Sequence, residues 1–418
     1  MNTKTKKILA IALLLVIASA IIITALVMLQ SPVKHELMQT QLDGLIAQYN
    51  GTRLTTNPGM DTYPAWSPDG RRIFFESRPD VGIRRYGSEC YISAMDADGS
   101  NLTRLANGTD PVVRSDKIFF RYDNYPNYDL WVMNTDGCTK EYLTSLNATS
   151  LISNPTINPN GTKICYCTGH CSDSYWVTLK NGTWVRAKNR TLNWKEETIR
   201  LACREGHVAV FVMDIDGGNK TKIVDSDSIR TIQHLSWSPD GRKILFEASP
   251  PPIEIYDIWV MDADGRNMNK LTDSGCNTDN MSPVWSPNGE KIAYESHDRN
   301  NIDIWIMNPD GSDKKRLTES PTVELFSDWS PDGKRIAYIS WSSDGYIYGI
   351  KHSYEDESEI WLMTADGSDK ERLLSIPHPY GLIGGIVWSP DGTEMVFVLQ
   401  PNYANSDIYV IDVPVKEE

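Results

Sequence analysis

The feature that most constrains this chain is a pentapeptide that keeps returning. "WSPDG" stands at Trp66, Trp237, Trp329 and Trp388, and "WSPNG" at Trp285. Seven residues after each Trp an apolar residue opens a short strand: Ile73, Ile244, Ile292, Ile336 and Met395. A second motif places an aromatic residue two before Met and six before Gly, as in "WVMNTDG" (Trp131), "FVMDIDG" (Phe211), "WVMDADG" (Trp259), "WIMNPDG" (Trp305) and "WLMTADG" (Trp361). Self-similarity at a fixed period rules out most folds before any other reading begins.

Both motifs read as hairpins. Ser-Pro-Asp-Gly fills a type I turn, with Pro fixing φ at the second position and Gly accepting the left-handed conformation that releases the next strand. Flanking β-branched and aromatic runs supply the strands. One unit is therefore strand a ending at Trp-Ser, a turn, strand b such as "KIAYES", a variable loop, strand c such as "DIWIMN", a turn, and strand d such as "KKRLT". Four antiparallel strands per repeat of this length is the pattern of a propeller blade. The expected fold is all-β. Counting the weaker copies at Trp176 ("WVTLKNG") and Trp194 ("WKEET") gives eight blades over Gly51 to Val413. Seven is the alternative, and it requires a long insertion in the third unit. The last unit ends at "DIYVIDV" without strand d, while "TRLTT" at Thr52 to Thr56 looks like a strand d with no unit before it. The N-terminal strand 52–56 is expected to complete the last blade and remove the free edges.

The repeats "YPAWSPDGRRIFFES" and "DIWIMNPDGSDKKRLT" resemble the TolB-type β-propellers of bacterial periplasmic proteins, of prolyl-oligopeptidase-like enzymes and of archaeal surface proteins. The resemblance covers Gly51 to Val413. It implies a propeller and, since such propellers serve mostly as platforms, a binding role.

Ahead of the repeats, Ile8 to Leu29 runs 22 residues without a charge, long enough as a helix to cross a bilayer core. Lys4, Lys6 and Lys7 precede it, which by the positive-inside rule leaves the N-terminus in the cytoplasm. The expected organisation is a cytoplasmic tip and transmembrane anchor at 1–30, a stalk at 31–50, and an extracytoplasmic propeller at 51–418 on the plasma membrane. A cleaved signal peptide, with "ASA" at Ala18 to Ala20 as the cleavage site, is the rival reading. Sequons at Asn50, Asn101, Asn107, Asn147, Asn160, Asn181, Asn189, Asn219 and Asn280 would be glycosylation acceptors in an exported chain. The seven Cys would then favour disulfides, with an odd one over.

Composition limits the chemistry. A formal charge of -14 without a basic stripe excludes nucleic acid as a main partner. "CYCTGHC" at Cys165 to Cys171 lacks the paired spacing of a zinc site, and the Asp-x-Asp-Gly turns lack the remaining ligands of an EF-hand loop. No Gly-x-Ser-x-Gly elbow, phosphate-binding Gly loop or His-Glu-x-x-His motif occurs. No cofactor or metal is expected. Eleven of the 13 Trp fall in the two repeat columns, which makes them packing rather than a ligand platform. The acids two positions before the strand c aromatic, Asp129, Asp257, Asp303, Glu359 and Asp407, read as hydrogen-bonding groups at a strand start or, more sharply, as a negative ring.

Function is expected on the face carrying the b-to-c and d-to-a loops. The loop from Ser340 to Ser358 offers Trp341, Tyr346, Tyr348, His352 and Tyr354. Tyr63 and His234, each three residues before a repeat Trp, belong at the channel mouth, and His297 lies in a b-to-c loop. The resulting expectation is a membrane-anchored platform that binds a protein or an envelope polymer without catalysis. The alternative is a glycan lyase or hydrolase working at the channel mouth, marked by converging His, Asp, Glu or Arg.

Overall fold

The structure is a computed structural model. It describes residues 32–414 except 80–89, 125–126, 146–149, 171–173, 179–183, 189–201, 204–207, 227–228, 230, 251–254, 276–277, 299–300, 342–356, 378–379 and 403–404. The chain divides into two compact units, Met1–Thr52 and Arg53–Glu418. In the first, the segment expected as a stalk is helical over Pro32–Ala47. The apolar run Ile8 to Leu29 lies outside the described residues. Among the described residues no helix is long and apolar enough to cross a membrane.

The second unit is a β-propeller. Its blades start at the inner strands Gly59–Trp66, Thr109–Arg114, Ser150–Ile157, Thr231–Trp237, Asp279–Trp285, Val323–Trp329 and Leu382–Trp388. Each inner strand contacts the next, and the last contacts the first, so the ring of described strands closes on seven. Beyond its inner strand every blade is an antiparallel meander, for example Asp279–Trp285, Ile292–Asp298, Asn301–Met307 and Lys315–Arg316 in the fifth.

The expectation of eight blades is therefore corrected to seven. Strand b of the third blade, Lys163–His170, pairs directly with Val208–Asp214, from Lys163 opposite Asp214 to Gly169 opposite Val208. The residues between form a separate three-stranded sheet of Ser174–Thr178, Trp184–Lys188 and Ala202–Cys203. The Trp176 copy is thus a hairpin inside an insertion, and Trp194 lies outside the described residues. The physical reason is the ladder itself: the edge of strand b in the third blade is already filled by Val208–Asp214, so the blade is complete without the residues between.

Two contacts repeat from blade to blade. The first is the inner Trp, buried in five blades. In three of them the indole nitrogen donates to the carbonyl before the equivalent position of the preceding blade, Trp66 to Val387 at 3.3 Å, Trp237 to Thr156 at 3.4 Å and Trp388 to Asp328 at 3.4 Å. These five Trp are packing, as their register implied. In the second, the Gly of each c-to-d turn rests on an outer-strand aliphatic of the preceding blade: Gly137 on Leu105, Gly217 on Leu143, Gly265 on Ile223 and Gly311 on Leu271. No step in this series leaves room for a further blade between the third and the fourth.

The acids at the start of strand c are clipped by the Arg/Lys-Leu-Thr run of strand d. Arg316 Nη2 lies 2.7 Å from Asp303 Oδ2, and the Ile304 N–H donates to Thr318 Oγ1 at 2.9 Å. In the fourth blade Lys270 lies 2.8 Å from Asp257, and the Ile258 N–H donates to Thr272 Oγ1 at 2.9 Å. The last blade uses residues 53–55 in the same way. Arg53 pairs with Asp407 at 2.8 Å, the Leu54 N–H donates to the Ile408 carbonyl at 2.8 Å, and the Ile408 N–H donates to Thr55 Oγ1 at 3.0 Å. Asp257, Asp303 and Asp407 are buried and engaged, so they form no negative ring open to a partner. A one-pair parallel bridge from Met60 to Ser406 joins the last blade to the first.

The disulfide expectation is corrected for two thiols. Cys138 is free and exposed, and Cys165 is free and buried in an apolar strand where burial pushes its pKa well up. Cys167, also buried, donates to the Ile232 carbonyl of the next blade at 3.4 Å.

Candidate active site

The inner strands do not run straight. Three residues before each inner Trp the pairing slips by a bulge, as between Thr62 and Ala65, Gln233 and Ser236, and Met281 and Val284. The residue at the bulge takes a left-handed backbone: Tyr63 at φ 53, Asp110 at φ 53, His234 at φ 49 and Ser282 at φ 51, with Gly385 at φ 57 in the last blade. A bulge re-aims one side chain out of the pleat. Holding a non-Gly residue there costs on the order of 1–3 kcal/mol. The backbone feature belongs to the architecture, since it recurs, but the side chains it presents differ from blade to blade.

A charged column stands behind the bulges. Three residues after the apolar start of strand b lie Glu76, Arg121, Glu247 and Glu295 in the first, second, fourth and fifth blades, and Ile339 and Val398 in the sixth and seventh. Glu76, Glu247 and Glu295 are buried. Two of them reach across a blade interface to the bulge of the next blade. Glu76 Oε2 accepts from the Asp110 N–H at 3.2 Å, and Glu247 Oε2 from the Ser282 N–H at 2.8 Å. A buried carboxylate needs such donors, because leaving it bare inside the fold is costly.

Each of these groups also has a charged or titratable neighbour. Arg78 donates Nε to Glu76 Oε1 at 2.6 Å. Arg121 pairs with Asp110 at 2.8 Å. His297 Nε2 lies 2.9 Å from Glu295 Oε2. His234 Nδ1 lies 2.9 Å from Glu247 Oε1, with Glu247 fully buried and 51% of the His234 side chain open. The contact with Glu247 raises the His234 pKa above that of an ordinary imidazole, against the lowering effect of burial. With Nδ1 turned to the carboxylate, the Nε2 edge is the one left for a ligand, the usual arrangement of an acid–base histidine.

Of the residues picked from the sequence, Tyr63 (61% exposed) and His234 stand at inner-strand bulges. His297 lies within strand b, Ile292–Asp298, rather than in the b-to-c loop, and sits beside Glu295. Trp341 ends strand b of the sixth blade and donates its indole N–H to the Ile383 carbonyl at 3.2 Å, a contact between blades. Tyr346, Tyr348, His352 and Tyr354 lie outside the described residues. Among the sequons, Asn50, Asn101, Asn107, Asn160 and Asn219 are exposed, while Asn147, Asn181 and Asn189 lie outside the described side chains. Asn280 is 7% exposed, and its amide donates to Ser274 Oγ at 2.7 Å. Sequence reading missed Glu76, Glu247 and Glu295. Their signal was present: an acid in register within "IFFES", "ILFEAS" and "IAYES", where a strand buried on both faces should carry none.

Residues 248–413 match the TolB beta propeller domain, so the TolB-like character of the repeats is borne out. No curated protein matches the chain in sequence. Among solved structures, an oligogalacturonate lyase in complex with manganese is 14% identical with a TM-score of 0.61, over 87% of this chain and 93% of that one. An oligogalacturonate lyase from Vibrio parahaemolyticus is 14% identical with a TM-score of 0.60, over 88% and 94%. A puromycin hydrolase is 13% identical with a TM-score of 0.58, over 86% of this chain and 52% of that one. These likenesses are of fold. They overturn the expectation of a platform without catalysis, because the architecture is shared with enzymes over nearly the whole of the lyase chains. Among the described residues no three or more His, Cys, Asp or Glu converge to hold a metal, so the manganese of that lyase complex finds no matching cluster there.

Proposed function

We propose that the chain is an enzyme of the acid–base type that cleaves a uronate-bearing oligosaccharide by elimination at the channel mouth. The observation that carries this reading is the His234–Glu247 pair, an accessible imidazole raised in basicity by a fully buried carboxylate. Elimination next to a carboxylate needs a base for the ring proton, cations beside the carboxylate to hold the charge that develops, and a proton for the leaving oxygen. His234 supplies the base. Arg78 and Arg121, steadied by Glu76 and Asp110, supply guanidinium groups on the first and second blades. Tyr63 is the exposed hydroxyl beside them. The fold shared with two oligogalacturonate lyases supports the choice of substrate class.

The test is a panel of uronate oligosaccharides assayed for the unsaturated product, with wild type against His234→Gln. The expected result is product formation by wild type and a loss of about 10²- to 10⁴-fold in the variant. Absence of unsaturated product across the panel, or full activity of the variant, would overturn the reading.

A further inference from the structure

The junction between the fifth and sixth blades holds a buried acid that its counterparts at the other junctions do not leave exposed to the same cost. Glu324 lies five residues before its repeat Trp, the position of Asn280 in the fifth blade and Asp61 in the first. Asn280 is neutral and donates to Ser274 Oγ at 2.7 Å. Asp61 accepts from Asn57 Nδ2 at 3.2 Å and has Arg53 acting on it. Glu324 is 2% exposed, and its Oε2 has no hydrogen-bond partner among the described residues. Arg316, the cation of this blade's clip, is engaged by Asp303 Oδ2 at 2.7 Å and by the Thr318 carbonyl at 2.7 Å.

Around Glu324 the network is made of oxygens. Thr322 Oγ1 donates to Glu324 Oε1 at 2.7 Å and lies 2.5 Å from Ser320 Oγ. Ser340 Oγ donates to Thr322 Oγ1 at 2.9 Å. Asn301 Nδ2 donates to the Ser320 carbonyl at 2.7 Å and approaches Asp303 Oδ1 at 3.4 Å, while Asn301 Oδ1 is buried without a partner among the described residues. One network thus contains two buried, unmatched acceptors, and its neighbouring carboxylate, Asp303, adds to the burial that pushes the Glu324 pKa up to about 7. Unmatched buried acceptors call for a donor or a cation.

We propose that this junction binds a calcium ion, through Glu324, the Asn301 side-chain oxygen and the Ser320 carbonyl, with Asp303 beside them. Carboxylate, amide and main-chain oxygens in irregular array suit calcium, which accepts six to eight such ligands at about 2.3–2.6 Å. Magnesium demands near-octahedral geometry and keeps its waters, and zinc prefers nitrogen and sulfur. The ion would bridge two blades on the loop face, away from the c-to-d turns whose acidic loops invite a calcium reading from sequence. There Asp310 is already satisfied by the Ser312 N–H at 3.0 Å and hydroxyl at 2.6 Å.

The experiment uses the full-length protein freed of divalent ions, with thermal unfolding and calorimetric titration in calcium chloride, in magnesium chloride and in sodium chloride of matched ionic strength. Calcium is expected to raise the melting temperature by several degrees where magnesium does not, and Glu324→Gln to weaken calcium binding at least tenfold. No response of the wild type to millimolar calcium, or a full response in E324Q, would refute the site. Asn301→Ala gives a second reading that does not depend on how E324Q folds. A tenfold weaker affinity supports the assignment, and an unchanged affinity sinks it.

Discussion

Tyr63, Asp110, His234 and Ser282 show how little separates architecture from chemistry in this molecule. All four occupy the same left-handed bulge, and only the side chain differs. Gly385 fills the seventh-blade copy at no steric cost. Tyr63→Gly should therefore leave chemical-denaturation stability unchanged or raise it by up to about 1 kcal/mol, while lowering turnover. A loss of several kcal/mol would mean that the ring is packed rather than presented. His234 supports a second prediction with a definite sign. Its folded pKa lies above the free imidazole value, so the stability contributed by Glu247 is present below about pH 6.5 and fades as pH rises through the folded value. Urea unfolding of wild type and His234→Gln across that range should show a gap that narrows toward high pH. A gap that stays constant with pH would contradict the pairing. The spacing from Trp made Tyr63 and His234 legible as equivalent positions of two blades. The pairing of His234 with Glu247 was not, because it depends on a bulge that strand periodicity does not encode.

At the scale of the strand, the Arg/Lys-Leu-Thr clip explains why the outer strands can be as short as Asn269–Lys270 and Lys315–Arg316. Two ladder pairs would hold little. The threonine hydroxyl adds an acceptor for a buried strand c amide and, in the fourth blade, donates to the acid before it, Thr272 Oγ1 to Asp257 Oδ1 at 2.8 Å. Thr272→Val keeps the shape and removes both bonds. It should cost about 1–3 kcal/mol by leaving the buried Ile258 N–H without its acceptor, read by urea unfolding, since Ser274 still donates to Asp257 Oδ1. An effect within a few tenths of a kcal/mol would show the clip to be incidental. Strand order and turns were readable from sequence because each is a local pattern. The clip links residues 15 apart across a turn, and only the fold reveals what the repeated acid faces.

For the whole molecule, the blade count is the point on which sequence and structure part. Trp176 with its downstream Gly imitates strand c, and pattern alone cannot say whether a strand pairs into a blade or out of it. The pairing of Lys163–His170 with Val208–Asp214 decides it. Because Gly169 and Val208 already face each other across that ladder, replacing residues 171–206 with a two-residue Asn-Gly turn should leave a folded ring. Its melting temperature should stay within a few degrees of wild type. If those residues belonged to the ring, the replacement would break it, and the cooperative transition would disappear. The seam at residues 53–55 carries a further consequence. Because the chain enters through an outer strand and leaves through a third strand, the segment that is copied in sequence and the sheet that folds in space are offset by one strand. Gain or loss of a repeat in evolution therefore hands each outer strand to a new neighbour at an existing seam, and the ring can change size without ever exposing an edge.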